Sequence, residues 1–372
     1  MISVTGRELT TSQWLLRSLR LDGTLLVLIT VLLMLGLVVL FSASGESVEA
    51  LQRQIGRIAL GTLALLVVVR IPISTLRALS PWLFLTGLGL LFAVVLFGDV
   101  GKGARRWLDL GMIRFQPSEI MKLAMPLMVA WYLSLRNAPP RFLDLLVVGV
   151  LIVVPVLLIM RQPDLGTALL VGVAGLLVIF LAGLNWRWFL GLGLGIAAVI
   201  PLLWTHMHDY QRQRILTLLN PESDPLGAGY HIIQSKIAIG SGGLYGKGWL
   251  NGTQSQLQFL PERSTDFVFA VYAEEFGFLG VVLLMILYFL IVGRGLWIAA
   301  MAQERFCRLI AGTISLTFAV YVVVNMGMVT GLLPVVGIPL PLISYGGTSL
   351  VTLMVGFGIL MAVHSRQRLV NR

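Results

Sequence analysis

The stretch LLVLITVLLMLGLVVLF, residues 25–41, is apolar apart from Thr30 and Gly36. A helix needs about 20 apolar residues to cross the hydrocarbon core of a bilayer, and this run approaches that length. It follows the mainly polar residues 1–24 and has no small-residue cleavage pattern. We therefore expect a retained membrane span and not a signal peptide.

The composition of the whole chain extends this interpretation. Of the 372 residues, 57% are apolar and 12% are charged, and the mean hydropathy is +0.91. A soluble domain carries roughly 25% charged residues, so the apolar residues are better explained by roughly ten membrane spans. Disordered and collagen-like chains are excluded, and the single cysteine, Cys307, excludes an intrachain disulfide.

Ten apolar runs follow one another along the chain, and none alternates apolar and polar residues as barrel strands do. Only helices then satisfy the backbone hydrogen bonds in lipid. We predict an all-α polytopic membrane protein with ten transmembrane helices, seven within residues 25–204 and three within 266–363. The runs are 25–41, 55–69, 81–98, 118–134, 145–160, 165–184, 188–204, 267–292, 310–329 and 350–363.

Basic residues are unevenly divided between the two sides of the predicted membrane. With residues 1–24 placed in the cytoplasm, the inner segments carry 14 basic and four acidic residues, and the rest of the chain carries 13 of each. This asymmetry follows the positive-inside rule. We predict that the N-terminal segment 1–24 and the tail 364–372 are both cytoplasmic.

One long polar stretch interrupts the series of short loops. Residues 205–265 separate the seventh and eighth predicted spans on the extracytoplasmic side. Loops of this length are usually functional or disordered. We expect one long extracytoplasmic loop, within which residues 230–239 form an amphipathic helix at the membrane interface.

Asp266 stands where the polar sequence PERST, residues 261–265, meets the apolar run of the eighth span. Two roles are open. Ser264, Thr265 and Asp266 are all suitable helix N-caps. Alternatively, Asp266 is a general base, because a partly dry environment brings a carboxylate toward the pKa range in which it accepts protons.

Further charged residues fall at or near membrane depth. Glu119 and Lys122 are three residues apart and share one helix face, as either a structural ion pair or part of a functional site. Asp164 lies in a polar cluster with Arg161 and Gln162, where capping of a loop is the alternative to function.

A short outer loop carries Lys102, Arg105 and Arg106 beside Trp107. These cations are either a solvated, screened group or a clamp for an anionic headgroup or a pyrophosphate, which the planar guanidinium binds with two parallel hydrogen bonds.

Residues 331–349 read GLLPVVGIPLPLISYGGTS, which is apolar but too rich in glycine and proline for a regular helix. Broken backbone at membrane depth is tolerated only against protein or a wet cavity. We predict a re-entrant segment that lines a site.

Five separated motifs, together with this segment and Asn325, resemble the SEDS family (shape, elongation, division and sporulation), and most closely its elongation members. The motifs are KGARRWL (102–108), RFQPSEI (114–120), QPDLGT (162–167), GAGYHIIQS (227–235) and FLPERSTDF (259–267). The resemblance covers nearly the whole chain.

The resemblance implies a peptidoglycan glycosyltransferase of the bacterial cytoplasmic (inner) membrane, active in cell elongation and rod-shape maintenance. Such an enzyme transfers glycan chains from polyprenyl pyrophosphate to the GlcNAc 4-hydroxyl of lipid II. The family's essential aspartate corresponds to Asp266, its buried ion pair to Glu119 and Lys122, and the aspartate of its QPD motif to Asp164. Its members depend on divalent cations, so Mg²⁺ or Mn²⁺ near Asp266 is implied.

The same resemblance implies a class B penicillin-binding protein and other elongation-complex components as partners, and no nucleic acid. We expect Lys102, Arg105 and Arg106 to bind the lipid pyrophosphate, and Ser344 and Tyr345, within the broken segment, to help wall its polyprenyl groove. A lipid II flippase and a non-catalytic scaffold remain alternatives, because broken helices and charges at midplane depth also occur in transporters.

Overall fold

The computed structural model describes residues 21–101, 104–109, 114–188, 190–191, 193–195, 212–213, 216–218, 220–223, 227–256 and 262–370. Most of these residues are helical, as the sequence predicted. The helices are α1 (Gly23–Ala43), α2 (Val48–Arg70), α3 (Ile73–Phe97), α4 (Pro117–Ser134), α5 (Phe142–Met160), α6 (Leu165–Leu181), α7 (Ala228–Ser241), α8 (Thr253–Gln256), α9 (Val268–Met301), α10 (Arg305–Val329) and α11 (Thr348–Val370).

Seven described helices, α1, α2, α3, α5, α9, α10 and α11, are long and apolar enough to cross a membrane. The chain is a multi-pass membrane protein. Helix α6 is also apolar but has 17 residues, and α4 carries buried charges within its 18 residues. These nine helices coincide with nine of the predicted runs. The tenth run, 188–204, falls mostly outside the described residues, so the count of ten stays a prediction.

Local sequence explains where several helices begin. The Asp22 carboxylate accepts a hydrogen bond from the backbone N–H of Leu25 (2.8 Å), and the Ser47 hydroxyl accepts one from Ala50 (3.2 Å). Both side chains satisfy N–H groups that the first helical turn leaves without partners. Helix α4 begins with Pro117, whose fixed φ suits the first helical position.

The centre of the bundle is formed by α4, α10 and α11. In α10 and α11, 61% of the apolar window is buried inside the protein, against 22–39% in the other five long helices. The outer helices turn large apolar side chains away from the protein, for example Val27, Met34 and Phe289. Such a surface is suited to lipid, which carries no penalty for apolar contact.

A small antiparallel sheet is an addition to the all-α prediction. Strands β1 (Asp99–Gly101), β2 (Ala104–Asp109) and β3 (Arg114–Phe115) pair in that order, with Val100 opposite Arg105 and Leu108 opposite Phe115. The sheet connects α3 to α4. It places the backbone of Arg105 and Arg106 on its middle strand.

The glycine- and proline-rich segment is non-helical over residues 331–347, between α10 and α11, and Leu340, Leu342 and Ile343 within it are buried. It packs against α1, where a Cβ added at Gly36 would lie 2.7 Å from the Leu342 carbonyl oxygen. Only a glycine allows so close an approach of the segment. The predicted break in the helix at this point is confirmed.

The described part of the long polar stretch has regular structure of its own. It contains a 3₁₀ turn at Pro221–Ser223 and the helices α7 and α8. Helix α7, which includes the predicted stripe 230–239, packs on α9 and α10. The hydroxyl of Ser235 donates to the carbonyl of Val329 at the end of α10 (2.7 Å). This piece is therefore a helix packed on the bundle.

Helix α9 is interrupted at Gly277, whose φ of 64° and ψ of −165° are not helical. The turn after α7 packs into this break: the backbone N–H groups of Lys247 and Gly248 donate to the carbonyls of Glu274 and Glu275 (3.0 Å each). A Cβ added at Gly277 would lie 2.2 Å from the nitrogen of Gly246. Gly277 and Gly246 are therefore both required where the backbone of the turn touches the backbone of α9.

Candidate functional site

Three carboxylate-bearing residues, Asp164, Glu262 and Asp266, line one cleft of about 380 Å³. The cleft lies where the start of α6, the turn 262–267 and the broken segment 331–349 meet. Among the described residues, its remaining lining is Pro163, Leu165, Thr265, Val336, Gly337, Pro339 and Tyr345. The structure thus brings together residues that lie far apart in the sequence.

Asp266 is half-buried in the turn before α9. The N-cap of α9 is Phe267, which makes no side-chain capping hydrogen bond. Of the two roles that the sequence left open, the N-cap position itself is thus not held by Asp266, Thr265 or Ser264. The turn continues one residue further than the polar sequence suggested, and this places Asp266 on the wall of the cleft.

The backbone of Asp266 is held from α10. The side-chain amide of Asn325, which is fully buried, donates to the carbonyl oxygens of Asp266 (2.9 Å) and Ile338 (2.7 Å). One amide therefore joins the turn to the broken segment. Buried carbonyl groups need such partners, because leaving them unpaired costs about 1–3 kcal/mol.

A second brace comes from the broken segment itself. The Ser344 hydroxyl donates to the carbonyl of Thr265 (2.6 Å) and accepts from the N–H of Leu340 (2.8 Å). The N–H of Tyr345 donates to the carbonyl of Ser264 (2.8 Å). Ser344 therefore fixes the turn, while Tyr345 lines the cleft.

Gly337 allows the broken segment to pass close to the carboxylate. Its φ is +73°, a left-handed conformation that favours glycine, and a Cβ added there would lie 3.5 Å from Asp266 Oδ2. The segment can therefore bend sharply on the face of the cleft opposite Asp266.

Asp164 has the capping role that the sequence left open, and it also lines the cleft. It is the N-cap of α6, where Oδ1 accepts from the N–H of Thr167 (3.2 Å). Its Oδ2 accepts from the side-chain amide of Gln116 (2.9 Å). The neighbouring Gln162 amide donates to the carbonyl of Leu91 (3.2 Å), so both ends of this cluster are fixed.

Glu119 and Lys122 form the predicted buried pair, with 2.7 Å between Oε1 and Nζ and both residues less than 10% exposed. The ammonium group also lies 5.5 Å from the centre of the Tyr321 ring. Lys122 lines a separate cavity of about 40 Å³ with Thr313, Thr317 and Tyr321. The structure therefore does not place the pair on the described lining of the cleft.

The predicted cationic clamp is only partly described. Lys102 lies outside the described residues, and of Arg105 and Arg106 the backbone alone is described. Their position relative to the cleft stays a prediction.

The acidic lining bears on the implied divalent cation. In the described part of the chain, no group of three or more His, Cys, Asp or Glu side chains is arranged to hold a metal ion. A preformed protein cage is therefore not present among these residues. One or two carboxylates of this lining fit a hydrated Mg²⁺ or Mn²⁺ that substrate phosphates also bind, which is the usual mode for Mg²⁺.

Sequence reasoning missed Glu262 and the positioning role of Asn325. Glu262 accepts a hydrogen bond from the Thr265 hydroxyl (2.8 Å) within the same turn, and its place in the FLPERSTDF motif could have marked it. The amide of Asn325 acts on a residue 59 positions earlier, a separation that no local pattern shows.

The chain matches a cell cycle protein family, that of FtsW, RodA and SpoVE, over residues 23–369. It belongs to this family. The SEDS resemblance of the motifs is thereby confirmed, because FtsW and RodA are SEDS proteins. The match begins at the first residue of α1 and ends within α11.

Two named relatives show how similar SEDS chains are to this one. It is 54% identical over 354 residues to the peptidoglycan glycosyltransferase MrdB of Escherichia coli K12, covering 95% of each chain. It is 36% identical over 359 residues to a probable peptidoglycan glycosyltransferase FtsW of Geobacter sulfurreducens, covering 93% of this chain and 96% of that one.

Solved structures share the fold. A chain from a study of a peptidoglycan synthase complex that coordinates polymerization and crosslinking matches with a TM-score of 0.81 and 38% identity, covering 92% of this chain and 97% of that one. The rod shape determining protein RodA of Thermus thermophilus matches with a TM-score of 0.71 and 32% identity, covering 92% and 96%. This SEDS chain therefore has its relatives' architecture over nearly its full length.

Proposed function

We propose that this protein is a peptidoglycan glycosyltransferase that polymerises lipid II during cell elongation, with Asp266 as its general base. The observation that supports this most directly is the placement of Asp266 on an open cleft, braced through its backbone by Asn325 and through its neighbour by Ser344. The relatives named as glycosyltransferases support the reaction class.

The reaction needs one base. The GlcNAc 4-hydroxyl of lipid II is a weak nucleophile, and Asp266 accepts its proton as the oxygen attacks the anomeric carbon of the donor sugar. A new glycosidic C–O bond forms while the bond to the polyprenyl pyrophosphate breaks, and the pyrophosphate leaves with the electron pair. Attack from the opposite face inverts the anomeric carbon, and no second carboxylic acid is needed to protonate this leaving group, in contrast to glycosidases.

The rigid turn has a catalytic purpose in this scheme. A base works only when it lies within hydrogen-bond distance of the proton that it removes. Two long-range braces, from α10 and from the broken segment, hold the backbone on either side of the carboxylate. The position of Asp266 is thus fixed before substrate binds, which lowers the entropic cost of reaction.

The negative charge of the cleft lining disfavours an anionic substrate unless a cation is bound as well. Among the described lining residues are three carboxylates and neither lysine nor arginine, whereas both substrates carry pyrophosphate. Mg²⁺ or Mn²⁺ held by Asp266 together with Asp164 or Glu262 would neutralise the leaving pyrophosphate. Lys102, Arg105 and Arg106 remain the proposed second source of positive charge.

The finer topology belongs to the same proposal. Ten spans with both termini in the cytoplasm follow from the basic residues of the inner segments. The cleft then opens at the extracytoplasmic face of the bacterial inner membrane. Residues 339–347 and the helical stripe 230–239 would form the walls of the polyprenyl groove, and Glu119 and Lys122 would support the helices behind it.

A class B penicillin-binding protein is the proposed partner, within an elongation complex. The structural match to a chain from a peptidoglycan synthase complex supports this, because that complex joins polymerization to crosslinking. A glycan strand made at the cleft would then pass directly to a transpeptidase.

The deciding experiment uses purified full-length protein in detergent with lipid II, with and without the penicillin-binding partner. The wild type should form glycan polymer, EDTA should stop it, and Mg²⁺ or Mn²⁺ should restore it. Asp266→Ala should abolish polymer while the variant still folds and inserts into membranes. The matched control is Glu49→Gln, whose carboxylate is exposed on α2 in a surface pair with Arg53.

The result also separates the alternatives. Polymer formation in detergent, where no membrane has to be crossed, excludes a protein that acts only as a flippase. Full activity of Asp266→Ala would remove the assignment of the base. A wild-type protein with no polymerase activity, alone or with its partner, would favour a scaffold.

A further inference from the structure

Arg57 is a charged residue at membrane depth that the mechanism above does not use. It lies on α2, nine residues beyond Val48 at the helix start, which is about 13 Å at 1.5 Å per residue. A charge placed this far along a spanning helix is costly, and such residues usually face a partner or a functional cavity.

The guanidinium group of Arg57 stacks on a residue of the cleft wall. Its central carbon lies 4.1 Å from the centre of the Tyr345 ring, and Tyr345 lines the cleft together with Asp266. One turn earlier on α2, the side-chain amide of Gln54 donates to the carbonyl of Ser344 (3.4 Å). Helix α2 is therefore fastened to the broken segment beside the site.

Space beside the guanidinium is kept open by Gly347. A Cβ added at this glycine would lie 3.4 Å from Arg57 Nε. Any larger side chain would crowd the edge of the guanidinium that forms parallel hydrogen bonds to phosphate oxygens. Gly347 thus places no side chain against this edge.

Arg57 is half-buried, and part of its guanidinium lacks a hydrogen-bond partner. Its Nη1 is buried and has no hydrogen-bond acceptor, and it forms no ion pair with any residue that the structure describes. Arginine carries five N–H donors, and stacking on the face of the Tyr345 ring gives none of them a full hydrogen bond. An unpaired buried donor is expensive, so this group is suited to an oxyanion.

The charge of the cleft defines which oxyanion. The described lining offers three carboxylates and no cationic side chain, which would repel a pyrophosphate unless positive charge stood nearby. Arg57 is a cationic group in contact with this lining, through the ring of Tyr345.

We propose that Arg57, stacked on Tyr345 at the edge of the cleft, binds the pyrophosphate of a polyprenyl-linked sugar. This rests on the proposed function, since it names the residue that holds the lipid headgroup of that reaction. Arg57 is a binding residue in this scheme, and Tyr345 positions its guanidinium.

The test measures binding without turnover. Full-length wild type, Arg57→Gln and Arg57→Lys are titrated with a synthetic polyprenyl pyrophosphate and with the matching polyprenyl alcohol, by native mass spectrometry in detergent. Arg57→Gln should weaken pyrophosphate binding at least 10-fold and leave alcohol binding unchanged. Arg57→Lys should fall between them, because it keeps the charge but loses the planar fork. Arg70→Gln, at the far end of the same helix, is the matched control and should bind as the wild type does.

Several outcomes would overturn the proposal. Equal losses for pyrophosphate and alcohol would show that Arg57 only supports the fold, and unchanged affinity would show that it does not bind the headgroup. If Arg57→Gln does not fold, the same criteria apply to Arg57→Lys. Inorganic pyrophosphate bound as tightly as the lipid would assign the site to a free anion instead.

These results are independent of the polymerase assay. A wild type that binds polyprenyl pyrophosphate through Arg57 but makes no polymer would leave the binding site standing and contradict the proposed function. A wild type that makes polymer, with Arg57→Gln binding pyrophosphate normally, would support the proposed function and contradict the binding role of Arg57. Tyr345→Leu should reproduce part of the Arg57→Gln loss, whereas Tyr345→Phe, which keeps the ring, should not.

Discussion

Asn325 holds Asp266 in place through the backbone: its side-chain amide donates to the Asp266 carbonyl at 2.9 Å and, at 2.7 Å, to the carbonyl of Ile338 across the cleft. The same side chain therefore fixes both the proposed base and the segment that faces it. Residues that are 59 positions apart in the sequence behave as one unit.

Asn325→Ala should slow polymerisation of lipid II at least 10-fold in kcat with little change in KM, because it moves the base without removing a substrate contact. It should also lower stability by about 1–3 kcal/mol, since two buried carbonyls lose a donor. Steady-state kinetics and thermal unfolding of the purified variant check both. Thr330→Ala is the control, because that hydroxyl donates to the carbonyls of Met326 and Gly327 in the preceding helical turn; equal effects of the two would refute the positioning role.

Gly337→Ala should reduce both activity and thermal stability. The methyl group itself has room, 3.5 Å from Asp266 Oδ2, so the cost of about 1–2 kcal/mol comes from the left-handed backbone. Relief of this strain would shift the segment away from Asp266. Gly89→Ala, in α3 with nothing within 4 Å of the added Cβ, should be neutral or slightly stabilising. A Gly337→Ala variant with wild-type kinetics and Tm would contradict the prediction.

Glu119→Gln should lower the Tm and the yield together, because it leaves Lys122 charged and buried without its partner. Loss of one member of a buried pair costs about 3–5 kcal/mol. The double variant Glu119→Leu/Lys122→Met should recover much of the stability, since a buried pair can be replaced by apolar side chains. Polymerase activity of the stable double variant then tells whether the pair only supports the helices or takes part in the reaction.

The control for that experiment is the pair of Glu49 and Arg53, which has a similar separation of 3.0 Å but side chains that are 76% and 57% exposed, respectively. Solvent screens such pairs, so Glu49→Gln should change stability by less than about 1 kcal/mol.

Asp22 should make the stability of the bundle fall at acid pH. Burial alone would raise the pKa of this carboxyl, but hydrogen bonds from Arg294 and the N–H of Leu25, with the charges of His364 and Arg294, hold the pKa below its ordinary value. A lowered pKa stabilises the folded protein at pH values above the pKa of the unfolded chain, which is about 3.9. This contribution is lost as the pH falls through the pKa of the folded protein.

Asp22→Asn should therefore lower the Tm near neutral pH, because the substitution removes the ion pair with Arg294, in which Oδ2 and Nη2 are 2.6 Å apart. Unfolding of wild type and variant between pH 7 and about pH 3 checks this, and the two curves should converge at the acid end. A difference in Tm that stays constant down to the acid end would show that the charge of Asp22 is not what stabilises α1 against α9 and α11.

The spans were predictable because lipid imposes one requirement, a long apolar helix, that a run such as 25–41 meets without help from the rest of the chain. The pair of Glu119 and Lys122 was predictable for a similar reason, since residues three apart share a helix face. The break at 331–349 followed from its glycines and prolines alone.

The details of the site were harder to predict from the sequence than the membrane spans. The sequence left cap and base open at Asp266, because the tertiary hydrogen bonds from Asn325 and Ser344 that hold the turn before Phe267 leave no local trace. The sheet was missed because its strands have three, six and two residues, too few for an alternating pattern to stand out. The stacking of Arg57 on Tyr345 joins a helix and the broken segment, which only folding brings together.

The break at Gly277 divides α9 into a short part and a long part. The short part, residues 268–276, follows directly from Asp266 and is clasped by the turn at Lys247 and Gly248. The long part is embedded among the spanning helices. A shift of the turn at Lys247 and Gly248 would therefore act directly on the short part, which begins two residues after Asp266, and only through Gly277 on the long part.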